Sequence, residues 1–142
     1  MSIEDNKAIV LLQHEEVWNK GNLAIVDEIY APDFVCHFNV GPEWRGREGV
    51  RQQVTEHRAA FPDWKEHIED IIAEGDRVVT RFTSQGTHKG VFQGIAPTDN
   101  QVTINEVAIY RISGGKIAEQ WGFPDQMGLL RQVGAGQPDE TA

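Results

Sequence analysis

The sequence has almost no cysteine and no long apolar run. Its 142 residues include one cysteine, Cys36, so an internal disulfide is excluded. Cys36 lies in an alternating apolar segment, which favours packing as a small hydrophobe over reactivity. No uninterrupted apolar stretch approaches the roughly 20 residues that a membrane-spanning helix needs. The opening MSIEDNKAIV lacks the basic start and apolar segment of a signal peptide, so the sequence predicts a cytoplasmic protein with no membrane partner.

Basic residues are also scarce relative to acidic ones. The chain has 13 Lys and Arg against 22 Asp and Glu, a formal net charge of −9. This charge opposes attraction to phosphate backbones, which argues against nucleic acid as a partner. The five histidines show no metal-ligand spacing, so the sequence predicts no metal site.

The first half of the sequence is dominated by helical periodicity. Ser2 or Asp5 can cap a first helix that ends near Gly21, and Asn22 can cap a shorter second helix. DFVCHFN then alternates like a strand, and GREGVRQQVTEHRAAFPD returns to helical spacing. We expect a single domain over residues 1–134, followed by a mobile tail over 135–142 that has no apolar residues to anchor it.

The second half has the pattern of strands joined by hairpins. AEGD and SGGK are turn signals, and each separates two alternating runs. Helices followed by strands predict an α+β protein whose antiparallel sheet is covered on one face by helices. The run VTINEVAIY is apolar on both faces, although the helices can cover only one. We therefore expect a homodimer or larger homo-oligomer that forms through the other face of the sheet.

Four ordered segments together resemble the SnoaL-like polyketide cyclases, small ester cyclases of aromatic polyketide pathways. They are FPDW, AEGDRVVTRFTSQGTHKGVFQGIAPT, IYRISGGKIAEQW and DQMGLLRQVG, and the resemblance runs from about the first helix to RQVG. It implies a nuclear-transport-factor-two-like fold, a cone-shaped curved antiparallel sheet packed on N-terminal helices around an apolar pocket. It also implies intramolecular aldol closure of a polyketide-like ester without metal or organic cofactor.

The resemblance implies that Asp125 is the catalytic acid/base. An aldol closure needs a base that removes a proton alpha to a carbonyl and a group that stabilises and protonates the resulting oxyanion. Trp121, Phe123 and Pro124 precede Asp125, and we expect these apolar neighbours to raise its pKa by desolvation. Asp125 is equally well placed to cap the helix QMGLLRQ, a role that would lower its pKa.

Three histidines are further candidates for the site. We expect His88 to assist Asp125 in catalysis and His37 to bind substrate, because either can donate a hydrogen bond to a substrate oxygen. Either could instead be satisfied by a neighbouring backbone group. His57 lies on the apolar stripe of its helix with Val50, Val54 and Phe61, where it either lines the pocket and binds substrate or covers the edge of the core. His14 and His67 are expected at the surface.

The remaining candidates for substrate binding are charged or aromatic. Arg81 either binds an oxygenated substrate or forms an ion pair within the sheet with Glu106 or Glu119. Glu106 belongs to the strand before GGK, where characterised cyclases often have a histidine that this sequence lacks. Trp121 and Trp18 offer flat surfaces for a polycyclic ligand.

The resemblance, together with these aromatic candidates, implies a small apolar or aromatic carbonyl substrate. Besides aldol cyclisation, a dehydratase or isomerase acting on another carbonyl compound would use the same aspartate and a histidine. A non-catalytic small-molecule-binding module of the same fold is the other alternative, and in that case Asp125 only caps a helix.

Overall fold

The computed structural model describes residues 2–39 and 41–134, so the predicted mobile tail lies outside the described residues. Helix α1, Ile3–Leu12, begins at the predicted cap. The Ser2 hydroxyl accepts a hydrogen bond from the Asp5 N–H, and the Asp5 carboxylate accepts one from the Ser2 N–H. Within the described ranges, no helix is long and apolar enough to cross a membrane.

A π-helical segment, Gln13–Trp18, continues α1. Its wider turn changes the direction in which successive side chains point. Gln13, His14 and Val17 of this segment are buried, although two of them are polar. A 3₁₀ turn at Leu23–Ile25 follows, capped by Asn22 as predicted, and leads into helix α2, Val26–Ile29.

The sheet has six strands in the order β2-β1-β6-β5-β4-β3. They are β1 Tyr30–Phe38, β2 Trp44–Arg45, β3 Lys65–Glu74, β4 Arg77–Thr87, β5 Gln101–Ser113 and β6 Lys116–Pro124. Both predicted hairpins, β3–β4 and β5–β6, are present. The second turns at Gly114 and Gly115, whose φ values of 56° and 77° suit a two-residue turn.

One strand pair departs from the predicted antiparallel pattern. Strands β1 and β6 pair parallel, while every other neighbouring pair is antiparallel. Parallel neighbours require a long connection, and here the chain between β1 and β6 contains four other strands. The predicted α+β class with a curved sheet packed on helices is confirmed.

Two further helices are present in the described part of the chain. Helix α3, Gly46–Ala60, packs against β1, and helix α4, Gln126–Gln132, packs against β5. The main core lies between α1, α3 and the concave sheet face, where Val10, Val54 and Tyr110 meet. Cys36 is buried in this core, as predicted.

Candidate functional site

A cavity of about 770 Å³ lies between the helices and the concave face of the sheet. Its volume falls in the range of pockets that enclose small organic molecules, about 300–1,000 Å³. Large aromatic side chains form much of its wall: Trp18, Phe38, Trp44, Trp64, Phe82 and Phe92. The cavity therefore suits a largely apolar, flat ligand.

Three of the predicted site residues line this cavity. Trp18 comes from the π-helical segment, His57 from α3 and Glu106 from β5. Their roles in ligand contact stay predictions.

Strand alternation places other predicted residues on the opposite, outer face of the sheet. Gln120 lines the cavity, so the side chain of Trp121 points away from it. The Trp121 ring stacks on His37 at a centroid distance of 5.7 Å, and the guanidinium of Arg77 lies 5.0 Å from the same ring. The predicted position of Trp121 in the pocket wall is thus corrected.

The side chains of His37 and Arg81 also form contacts away from the cavity. The two ring nitrogens of His37 lie 2.7 Å from Glu119 and 2.9 Å from Glu43. These carboxylates, with Glu119 first, raise the pKa of His37. Arg81 is exposed and pairs with Asp70 at 2.6 Å, so neither a substrate contact nor the predicted pairing with the sheet glutamates is formed.

His88 lies behind the cavity wall. It follows the last residue of β4 and is fully buried, with its ring 5.6 Å from that of Phe61. Its Nδ1 atom lies 3.0 Å from the Thr98 hydroxyl. The predicted catalytic contact between His88 and a substrate is therefore corrected: His88 packs beside a second, smaller apolar cluster that includes Phe61, Trp64 and Leu129.

Asp125 caps helix α4. Its Oδ1 atom accepts a hydrogen bond of 2.9 Å from the Gly128 N–H, and its side chain is exposed. Because β6 ends at Pro124 and α4 begins at Gln126, the carboxylate turns toward the free N–H groups of the helix. The predicted apolar enclosure of Asp125 is thus corrected, although Pro124 and Gln126 on either side of it both line the cavity. Asp125 lies at the cavity rim.

Two polar residues that sequence reasoning missed form the cavity floor. His14 is 2% exposed, so its predicted surface position is wrong. Its Nδ1 atom lies 2.7 Å from Oε1 of Glu66, and its Nε2 atom lies 3.0 Å from the Thr80 hydroxyl. The second oxygen of Glu66 accepts a hydrogen bond from the Trp64 indole at 3.0 Å.

The sequence spacing of both floor residues indicates an interior position. His14 has helical spacing with the buried Val10 and Val17. Glu66 has two-residue spacing with Ile68 on β3 and with Trp64 just before that strand, and both neighbours pack toward the interior. In each case a polar residue occupies a position that the apolar period assigns to the interior.

A chain of hydrogen bonds between uncharged side chains continues from the cavity floor into the core. The Tyr30 hydroxyl donates to Gln13 at 2.8 Å, and the Gln13 amide donates to the Tyr110 hydroxyl at 3.1 Å. The Tyr110 hydroxyl also lies 3.2 Å from Nε2 of His14. Burial raises the pKa of both tyrosines well above the ordinary phenol value, so they stay protonated at neutral pH.

Glu106 has an unusual environment for a carboxyl group. Its Oε2 atom accepts a hydrogen bond of 2.5 Å from the Ser84 hydroxyl. Burial, and then the charge of Glu66, raises the pKa of Glu106 to about 8, although the bond from Ser84 acts in the opposite direction. At neutral pH the protonated, neutral form therefore predominates.

His57 is also uncharged. It packs among the rings of Trp64, Phe61 and Trp18, at centroid distances of 4.1, 5.2 and 5.8 Å. Burial, assisted by the nearby Arg58, lowers the pKa of His57 to about 4. Its buried Nε2 atom has no hydrogen-bond partner within the described part of the chain, which leaves a polar atom for a ligand.

The site thus combines an apolar chamber with several groups able to move a proton. A neutral carboxyl, a neutral imidazole and a buried His–Glu pair face the cavity, and an exposed carboxylate lies at its rim. Among residues 2–39 and 41–134, no cluster of three or more His, Cys, Asp or Glu side chains could hold a metal ion.

Known proteins are similar to this chain in both sequence and fold. The model of the SnoaL-like polyketide cyclase family matches residues 8–133. The chain is 31% identical over 126 residues to nogalonic acid methyl ester cyclase from Streptomyces nogalater, covering 87% of this chain and 93% of that protein. It is 30% identical over 130 residues to aklanonic acid methyl ester cyclase DauD from Streptomyces sp. strain C5, covering 87% of this chain and 78% of that protein.

A solved structure is similar to this chain in fold. IdmH from Streptomyces antibioticus superposes with a TM-score of 0.78 at 30% identity, over 92% of this chain and 99% of that one. The family match spans nearly all of the described domain, including the cavity and its rim. The chain belongs to the SnoaL-like polyketide cyclase family.

Proposed function

We propose that this protein closes a carbon ring in a polyketide-like methyl ester by a cofactor-independent intramolecular aldol reaction, with Asp125 as the acid/base. The observation that carries the proposal is the apolar cavity of about 770 Å³, with proton-transfer groups at its floor and Asp125 at its rim. Support for the substrate class comes from relatives named as cyclases of nogalonic and aklanonic acid methyl esters.

The exposed position of Asp125 restricts the chemistry that it can perform. The Asp125 carboxylate accepts a hydrogen bond from the Gly128 N–H and is exposed, so it would act outside the apolar enclosure of the cavity. It can deprotonate carbon efficiently only when two carbonyl groups flank that carbon. We therefore propose a substrate whose reacting methylene lies between two carbonyls at the rim, while its aromatic rings occupy the cavity.

The reaction proposed can be tested directly with the two methyl esters. Ring closure leaves the mass unchanged, so chromatography coupled to mass spectrometry should show a product of equal mass and different retention. Asp125→Asn preserves much of the capping ability and removes the base, and we expect turnover to fall about 100-fold or more. Asp76→Asn, in the exposed β3–β4 turn, is the matched control and should retain activity. Unchanged turnover in Asp125→Asn would exclude Asp125 as the base.

The buried pair of His14 and Glu66 favours a second candidate, dehydration or isomerisation of a carbonyl compound. A carboxylate that orients a histidine is a common arrangement for a general base. A product lighter by one water would identify dehydration. Tight binding of the esters without any product would favour the non-catalytic binding module instead.

A further inference from the structure

Glu106 is the ionisable group of β5 that faces the cavity beside the rim. In the β5–β6 register it lies directly opposite Pro124, the residue before Asp125. In the β4–β5 register it lies opposite Phe82, another residue of the cavity wall. Glu106 and Asp125 thus belong to the same end of the cavity, the first inside it and the second at its opening.

The hydrogen bond made by Glu106 leaves one side of its carboxyl group for a ligand. The Ser84 hydroxyl occupies Oε2 and fixes the side chain. In the neutral acid the proton is carried by the other oxygen, which then needs an acceptor. A carbonyl oxygen of a bound substrate would supply one.

We infer that Glu106 is the general acid of this cavity, donating a hydrogen bond to the acceptor carbonyl of the substrate and then transferring its proton to that oxygen. This inference rests on the proposed function, because it assigns the acid for the same ring closure. It gives the two carboxyl groups separate roles, with Asp125 as base and Glu106 as acid.

The surroundings of Glu106 keep it in the acid form. Burial, together with the negative charge of Glu66 on β3, raises the pKa of Glu106 to about 8. Among the described residues, the other titratable groups that line the cavity supply no unpaired cation. Glu56 on α3 is acidic, His14 is bonded to Glu66, Tyr110 on β5 is a neutral phenol, and His57 on α3 is neutral. Acid/base sites typically contain two titratable groups whose surroundings hold one in its protonated form and the other in its ionised form.

The step balances in protons and electrons. Asp125 takes a proton from the methylene carbon, and the electron pair of that C–H bond forms the new C–C bond to the acceptor carbonyl carbon. The π electrons of that carbonyl move to its oxygen, which receives the proton of Glu106. Asp125 is then protonated and Glu106 ionised, and proton exchange through solvent restores both groups without a co-reactant.

The protonation state of Glu106 can be measured without any substrate. We would record infrared spectra of the protein labelled with ¹³C-glutamate and assign the Glu106 band by its loss in Glu106→Gln. The carbonyl band of a protonated acid should persist at neutral pH and disappear with a midpoint of about 8. Glu74→Gln, at the exposed end of β3, should leave that band unchanged. An ionised Glu106 at neutral pH would overturn the inference.

Hydrogen-bond donation can be measured with 1-tetralone labelled with ¹³C at its carbonyl. In the wild type at mildly acidic pH, the bound carbonyl stretch should be lower than in Glu106→Leu, and the difference should vanish as pH rises through about 8. Glu106→Gln keeps a donor that does not titrate, so its bound stretch should remain low at every pH. A stretch that is identical in all three proteins, or failure of the ketone to bind, would contradict the assignment.

A third experiment measures turnover of the methyl esters, and its outcomes distinguish failure of this inference from failure of the proposed function. If the wild type converts the methyl esters, Glu106→Gln should lower kcat about 100-fold while leaving KM nearly unchanged, because it loses proton transfer and keeps the hydrogen bond. Retained kcat would overturn the inference while the cyclase function stands. If the wild type converts neither ester, the proposed substrates fail, and the two spectroscopic experiments still decide the state and the contact of Glu106.

Discussion

His14 and Glu66 lie 2.7 Å apart, Nδ1 to Oε1, and both are buried at the floor of the cavity. Their positions join the π-helical segment to β3 across 52 residues of sequence. The pair therefore contributes to the fold as well as to the site, because it fixes the first helix on the sheet.

Replacing His14 by alanine should reduce stability markedly. The change leaves Glu66 buried with an unpaired oxygen, and breaking a buried pair by removing one partner costs about 3 to 5 kcal/mol. Urea unfolding of His14→Ala measures the loss. His67→Ala, at an exposed position of the same strand β3, is the control and should change stability by less than about 0.5 kcal/mol. Equal, small effects would show that the buried pair adds no stability.

Glu106 should make stability depend on pH. Its pKa in the folded protein is raised from 4.5 to about 8, so above the unfolded-state value the native protein binds more protons than the unfolded chain. Stability contributed by this group is therefore lost as pH rises from about 4.5 to about 8. Glu106→Gln lacks this titration, so its Tm relative to the wild type should increase across that interval. Parallel Tm profiles would contradict the raised pKa.

Some of the site could be predicted from the sequence, and the missed part has a physical explanation. The sequence predicts substrate contacts for Trp18, His57 and Glu106, and all three side chains line the cavity. Trp121 was predicted beside them because of its nearness to Asp125 in sequence, but adjacent strand positions face opposite sides of a sheet. Closeness in sequence to Asp125 therefore does not show that a strand residue faces the cavity.

The interior polar residues were missed for a different reason. A histidine and a glutamate are usually found at the surface, and their burial is tolerated only when each finds a partner. His14 and Glu66 are partners from distant segments, so neither sequence segment alone reveals the pair. The fold was easier to predict, since helical period, strand alternation and the two turn signals are all local.

The two tryptophans Trp18 and Trp121 should respond differently to replacement by alanine. Trp18 lines the cavity, so Trp18→Ala should weaken binding of 1-tetralone about tenfold, which corresponds to about 1.4 kcal/mol. Trp121 lies on the outer face with His37 and Arg77, so Trp121→Ala should leave the affinity unchanged and lower the Tm. Calorimetric titration and thermal unfolding of the same samples measure both effects. Weaker binding in Trp121→Ala would place that ring in the site after all.

The homo-oligomer predicted from the sequence stays a prediction, and the outer sheet face is where it can be tested. Val107 and Phe123 pair across β5 and β6 on this face, next to Ile109 and Trp121, and Phe123 is 44% exposed. A second copy of the chain would cover these apolar groups, and Arg77 and Glu119 on the same face allow complementary charge contacts between copies.

Sedimentation velocity at micromolar concentration should therefore show a dimer or larger species. Phe123→Asp places a charge within the apolar face and should shift the protein toward the monomer, because an unpaired charge is costly to bury at an interface. Met127→Asp is the control, since Met127 is 66% exposed on α4 rather than on the sheet. A wild-type monomer at every concentration would show that the outer face remains open to solvent, and equal dissociation of both variants would move the interface away from β5 and β6.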